Sequence, residues 1–269
     1  MAIHREWCVW DRQSLGVAAG DVDAWLLDTS RCPRISDAEF ECLSKWETAR
    51  AERFIFANEA SRYLNGQLHL RTVLSRYAGG DPLKIRLRNS PSGQFFVRAS
   101  PEIKVVTNHS GRYVLYVVTR HRQAGAGMQR VNAAEEGSLI AENFFSPSEC
   151  RTLKQMAAIP QAKAFSQCWS RRSALLQVLQ NYPLASLELP DLLAEAPFSA
   201  VVPSKSGAAT WTLTDLPQIQ DSVASLAVEG ELTRLSTWLV LDHDAETGCG
   251  SVTIDPQQAT VSTTLFRRF

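Results

Sequence analysis

Read by the alternation of apolar and polar positions, the chain opens with a strand and then turns helical. Val22-Asp23-Ala24-Trp25-Leu26-Leu27 has the apolar density of a buried strand. Ser36-Asp37-Ala38-Glu39 forms a capping box, whose serine and glutamate satisfy orphan amide groups, and predicts a helix to about residue 53. Asn58 is placed to cap a second helix, with Tyr63, Leu70, Leu74 and Tyr77 on one face and Gly79-Gly80 at its end. The period then drops to two. Leu83, Ile85 and Leu87 alternate with Lys84, Arg86 and Arg88, and 95–97, 103–107 and 113–119 continue as strands.

Gln123-Ala124-Gly125-Ala126-Gly127 reads as a linker, and helices resume beyond it. Ser146-Pro147-Ser148-Glu149 combines an N-cap, a proline at the first helical position and a capping glutamate. A longer helix over about 162–181 carries Phe165, Cys168, Trp169, Leu176 and Leu179 on its apolar side, so Trp169 reads as core. The last 90 residues look like proline-punctuated strands, clearest at 211–213 and 236–241. This mixture predicts an α+β protein of two subdomains, 1–122 and 123–269.

Composition adds little until it is divided along the chain. The 269 residues carry 28 basic and 28 acidic groups and 45% hydrophobic residues, the profile of a globular protein with a real core. No apolar run reaches the length of a membrane-spanning helix, and the first residues lack the apolar segment of a secretion signal. The expectation is a cytoplasmic protein without a membrane or nucleic-acid partner. Net charge is −4 over residues 1–49, +10 over 50–130 and −6 over 131–269. Such a basic centre is either a solvated surface or the seat of an anionic ligand. Arginine outnumbers lysine 22 to 6, which suits phosphate. The six cysteines show no paired spacing, as expected of reduced thiols, and Asp242-His243-Asp244 reads as a surface turn rather than a metal site.

Six segments, in order, resemble the 4'-phosphopantetheinyl transferases of the monomeric surfactin-synthetase-activating type. They are Arg53-Phe54 with Arg62-Tyr63-Leu64-Asn65-Gly66; Gly93-Gln94-Phe95; Val106-Thr107-Asn108-His109-Ser110-Gly111; Gly125-Ala126-Gly127-Met128-Gln129-Arg130; Phe144-Phe145-Ser146-Pro147-Ser148-Glu149; and Trp169-Ser170-Arg171-Arg172-Ser173-Ala174. The resemblance implies a monomer of two similar α+β halves related by pseudo-two-fold symmetry, with coenzyme A (CoA) in the cleft between them. It implies Mg²⁺ on the CoA pyrophosphate and attack by a carrier-protein serine on the β-phosphate. It also implies that Arg53, Arg62, His109 and Ser110 face the nucleotide.

The departures fall together. The positions where the family places its metal-binding carboxylates hold Gly127, Gln129 and Ser173, and the adjacent lysine is Arg172. Neutral oxygens do not compensate a divalent cation, so Mg²⁺ is not expected there. Arg172 is too basic to act as a base but is suited to hold phosphate as a fixed fork, and with His109 it is the candidate catalytic residue. The alternative is that Arg172 pairs with a carboxylate such as Glu135 or Glu142, that Arg62 is merely solvated, and that His109 is a satisfied half-buried histidine. Three functions follow from the resemblance. One is a pseudoenzyme that binds CoA, or an acyl or peptidyl carrier protein through its phosphopantetheine arm, in polyketide, fatty-acid-like or other secondary metabolism. The second is a repurposed enzyme acting on a carrier-tethered acyl chain. The third is an active transferase whose metal is rescued by Glu135, Glu136 or Glu142.

Overall fold

The computed structural model describes residues 2–3, 6–10, 17–89, 94–131, 137–179, 189–204 and 207–240. In chain order the elements are β1 (Ala2–Ile3), β2 (Cys8–Val9), β3 (Asp21–Asp28), α1 (Asp37–Cys42), α2 (Lys45–Ala51), α3 (Ala57–Ala78), β4 (Leu87–Asn89), β5 (Phe95–Val97), β6 (Ser100–Ser110) and β7 (Tyr113–Arg120). They continue with β8 (Ala124–Arg130), α4 (Gly137–Phe144), α5 (Pro147–Lys154), α6 (Ala158–Val178), β9 (Phe198–Ser204), β10 (Gly207–Asp215), β11 (Ser222–Glu229) and β12 (Arg234–Leu239). The first sheet runs β1-β12-β3-β7-β6-β5-β4, with β2 also on β12, and the second runs β8-β11-β10-β9. The α+β expectation holds.

Side-chain alternation generates the layers. Along β7, Tyr113, Leu115 and Val117 enter a core shared with Ala124, Ala126 and Met128 of β8 and Ala224, Leu226 and Val228 of β11. The two sheets therefore pack face to face. The intervening Val114, Tyr116 and Val118 enter a second core with Leu70, Val73 and Leu74 of α3. Beyond the second sheet, Leu213 and Ala227 pack on Cys168, Ala174 and Leu175 of α6. Each fully buried leucine in these cores contributes about 1.5–3 kcal/mol. The order across the molecule is helix, sheet, sheet, helix.

Several elements differ from the sequence expectation for local reasons. The helix expected to run from Ser36 to residue 53 stops at Leu43, because Ser44 and Glu47 form a second complete capping box and start α2. Phe56, not Asn58, occupies the N-cap of α3 and makes no side-chain cap bond. The alternation at 83–88 becomes a 3₁₀ turn, Pro82–Lys84, before the short β4. The expected linker is the buried strand β8. The last described strand, β12, returns to the first sheet and runs parallel to β3, with Leu235 opposite Val22.

Among the described residues no helix is long and apolar enough to cross a membrane. Cys8, Cys32, Cys42, Cys150 and Cys168 are free thiols. Cys249 and Asp242-His243-Asp244 lie outside the described residues.

Candidate functional site

The first part of the site lies where α2 and α3 meet the end of β6. Arg50, near the end of α2, places its guanidinium 5.7 Å from the Trp46 ring centre and 5.6 Å from that of Tyr63. Cation–π distances of this order hold an arginine in place without neutralising it. Tyr63 is buried, packs against Phe54 with ring centres 5.6 Å apart and planes tilted by 36°, and keeps a hydroxyl with no hydrogen-bond partner. Burial raises that hydroxyl to about 12, so it stays a donor at any working pH.

His109 stands at the far end of β6. The residue is exposed, yet its Cε1 lies 3.6 Å from where a Cβ would sit on Gly66 of α3. The surrounding protein, aided by the positive charge of Arg50, lowers the His109 pKa to about 4. Ser110 follows it, half-buried. Arg53 is exposed just beyond α2, and Arg62 is half-exposed on α3. Among the described residues none of Arg50, Arg53 and Arg62 has a carboxylate partner. An unpaired Arg50 beside a neutral imidazole and an orphan hydroxyl suits an anionic ligand. Arg50 is the residue that the sequence reading missed, although the four-residue spacing from Trp46 to Arg50 on a helix was available as a signal.

The His109 titration has a stability consequence. With the folded pKa below the unfolded value of about 6.5, the unfolded chain binds more protons between these limits. The contribution is therefore fully present above pH ~6.5 and is lost as pH falls towards about 4. Urea titrations over this range should show a shallower acid loss for His109→Gln than for the native chain. Parallel curves would assign the loss elsewhere.

The second part is the contact between β8 and α6. Ala124, Ala126 and Met128 point into the inter-sheet core, so Gly125 and Gly127 face the helix. A Cβ on Gly127 would overlap the Ser170 carbonyl oxygen, and one on Gly125 would overlap that of Ala174. The missing side chains are what let α6 lie directly on the strand. Ser170 donates to the Gly127 carbonyl at 3.0 Å. Gln177 accepts from the Ala126 amide at 2.8 Å and donates to the Thr107 carbonyl at 3.2 Å, joining β8 to β6. Asn108 donates to the Ala126 carbonyl at 2.8 Å, and the buried Gln94 donates to that of Ala124 at 3.0 Å. Uncharged amides thus span the gap between the two sheets. Gln129 and Ser173 are half-buried and bring no charge.

Arg172 is not placed as a free phosphate fork. It is buried, donates to Glu149 Oε2 at 2.8 Å, and lies 5.1 Å from the Phe145 ring centre. Glu149 is the capping glutamate of α5 and also accepts from the Ser146 and Leu192 amides at 2.7 and 2.9 Å. The sequence offered a carboxylate partner only as the alternative to a phosphate role, and at Glu135 or Glu142. Glu142 instead faces Lys154 at 3.8 Å on the surface, and Glu135 and Glu136 lie outside the described residues. Arg171 is held equally firmly, by Asp215 and by the Leu192 and Ala194 carbonyls, both at 2.6 Å. Trp169 is partly buried and packs against the core between α6 and the second sheet, 5.4 Å from Phe144.

No family model matches the chain. Among curated proteins, the 4'-phosphopantetheinyl transferase HetI of a Nostoc species is 27% identical over 192 residues, covering 70% of this chain and 79% of HetI. The 4'-phosphopantetheinyl transferase psf-1 of Bacillus pumilus is 28% identical over 204 residues, 70% of this chain and 85% of that protein. A Bacillus subtilis 4'-phosphopantetheinyl transferase is 25% identical over 142 residues, 52% and 62% of the two chains. The chain is thus similar, over about half to two thirds of its length, to proteins named 4'-phosphopantetheinyl transferase. Set beside that likeness, the residues at β8 and α6 do not fit a carboxylate-held Mg²⁺. Position 127 has no room for a side chain, Gln129 and Ser173 are neutral, and Glu149 is committed to Arg172. Among the described residues no three histidine, cysteine or acidic side chains converge, and Glu135 and Glu136 lie outside those residues.

Proposed function

We propose that this chain is a member of the 4'-phosphopantetheinyl transferase superfamily that binds CoA, or a carrier protein through its phosphopantetheine arm, without a carboxylate-held metal and without transferring the arm. The observation that carries this reading is the overlap any side chain at Gly127 makes with the Ser170 carbonyl. A carboxylate cannot enter there while α6 rests on β8. The anionic end of the ligand is assigned to Arg50, Arg53, Arg62, His109, Ser110 and the Tyr63 hydroxyl. Arginine supplies charge, and a neutral imidazole supplies a donor that does not depend on pH above about 5. Arg172 has no part in this contact, because its charge is spent on Glu149.

Two measurements test the assignment. Incubation with CoA, Mg²⁺ and apo carrier proteins, read by intact mass, should leave every carrier unmodified; addition of one phosphopantetheine arm overturns the reading. Arg50→Ala should weaken CoA binding by about 1.5–3 kcal/mol, the range for a lost hydrogen bond to a charged group. Unchanged affinity by calorimetry would remove Arg50 from the site.

A further inference from the structure

A second recess opens between the start of α2 and the β4–β5 edge of the first sheet. Its volume is about 510 Å³, within the range of small-molecule sites. Leu43, Trp46, Leu87 and Phe95 form its apolar walls, and the Trp46 and Phe95 ring centres are 6.4 Å apart at 64°. The floor is a two-pronged ion pair in which Arg71 Nη1 and Nη2 donate to Glu47 Oε1 and Oε2 at 2.8 and 2.7 Å. Because that pair cancels itself, the net charge of the recess is set at the rim. Lys45, Arg86 and Arg88 stand there against Glu41 alone. Among the described residues none of the three cations has an ion-pair partner. Arg86 and Arg88 both line the recess and are exposed.

The recess is distinct from the Arg50–His109 site. Neither of those residues lines it, and Arg50 packs over the Trp46 ring instead of entering. We propose that it binds a small amphipathic anion, with a flat apolar body between Trp46 and Phe95 and a carboxylate, sulfonate or phosphate at Lys45, Arg86 and Arg88. Aromatic walls favour a flat ring through edge and face contacts, and three unpaired cations favour a single negative group over a neutral one. This assignment does not depend on the CoA reading.

The test uses the full chain and 8-anilinonaphthalene-1-sulfonate as a fluorescent probe. One saturable site is expected, weakened at least tenfold in the double variant Arg86→Glu/Arg88→Glu and in Trp46→Ala. 2-Naphthoate should displace the probe and 2-naphthalenemethanol should not. Both arginines are exposed, and circular dichroism checks that the double variant keeps its fold. CoA affinity of the double variant should equal that of the native chain. Native-like probe binding in both variants overturns the proposal, as does displacement by the neutral alcohol. Displacement by octanoate as effective as by 2-naphthoate removes the flat-ring assignment. A fall in CoA affinity matching that of the probe would make the recess part of the nucleotide site and overturn its separateness.

Discussion

Gly127→Asp should destabilise the protein by about 3 kcal/mol or more, at or above the upper end of ordinary overpacking costs. The added Cβ overlaps a backbone oxygen, not the end of a flexible side chain, so relief requires moving α6 off β8. That movement breaks the Ser170 bond to the Gly127 carbonyl and disturbs the Gln177 bridge to Ala126. The new carboxylate also has to be placed beside the Ser170 carbonyl oxygen. A urea transition shifted strongly to lower denaturant is expected, with no gain in Mg²⁺ affinity. Gln129→Glu is the control, because residue 129 is half-buried and has room for a side chain. A Gly127→Asp protein of native stability that bound Mg²⁺ would show that the strand–helix contact opens readily.

Arg172→Ala should cost about 3–5 kcal/mol of folding stability, the range for removing one member of a buried ion pair. Glu149 would keep the Ser146 and Leu192 amides but lose the cation that balances its charge, in surroundings where it is 1% exposed. Phe145 would lose the guanidinium beside its ring. Under conditions where the variant is folded, its CoA affinity should match the native protein. The opposite pattern, native stability with weakened CoA binding, would put Arg172 back among the phosphate ligands.

These two residues also show what was legible in the sequence. Ser36–Glu39 and Ser146–Glu149 announced helix starts correctly, because a capping box is a contact between residues three apart. Ser44–Glu47 carried the same signal, and weighing it would have divided the first helix at Leu43. The second role of Glu149 was not local. Arg172 and the Leu192 amide reach it from 23 and 43 residues away. The Gly-Ala-Gly run looked like a linker because composition alone reports backbone freedom, whereas here the glycines exist to admit a helix. The +10 centre of the chain contains the residues proposed to face the nucleotide, but it did not single out Arg50 from twelve arginines. The fold was legible through periodicity. The site depended on which elements come together, and only its motif positions could be read in advance.

The most direct test of the central claim is a calorimetric titration of the protein with CoA, once in EDTA and once with excess Mg²⁺. Equal affinity in the two buffers, reduced by Arg50→Ala and unaffected by Arg172→Ala, is the predicted result. CoA binding that requires Mg²⁺, or tightens markedly with it, would contradict the account.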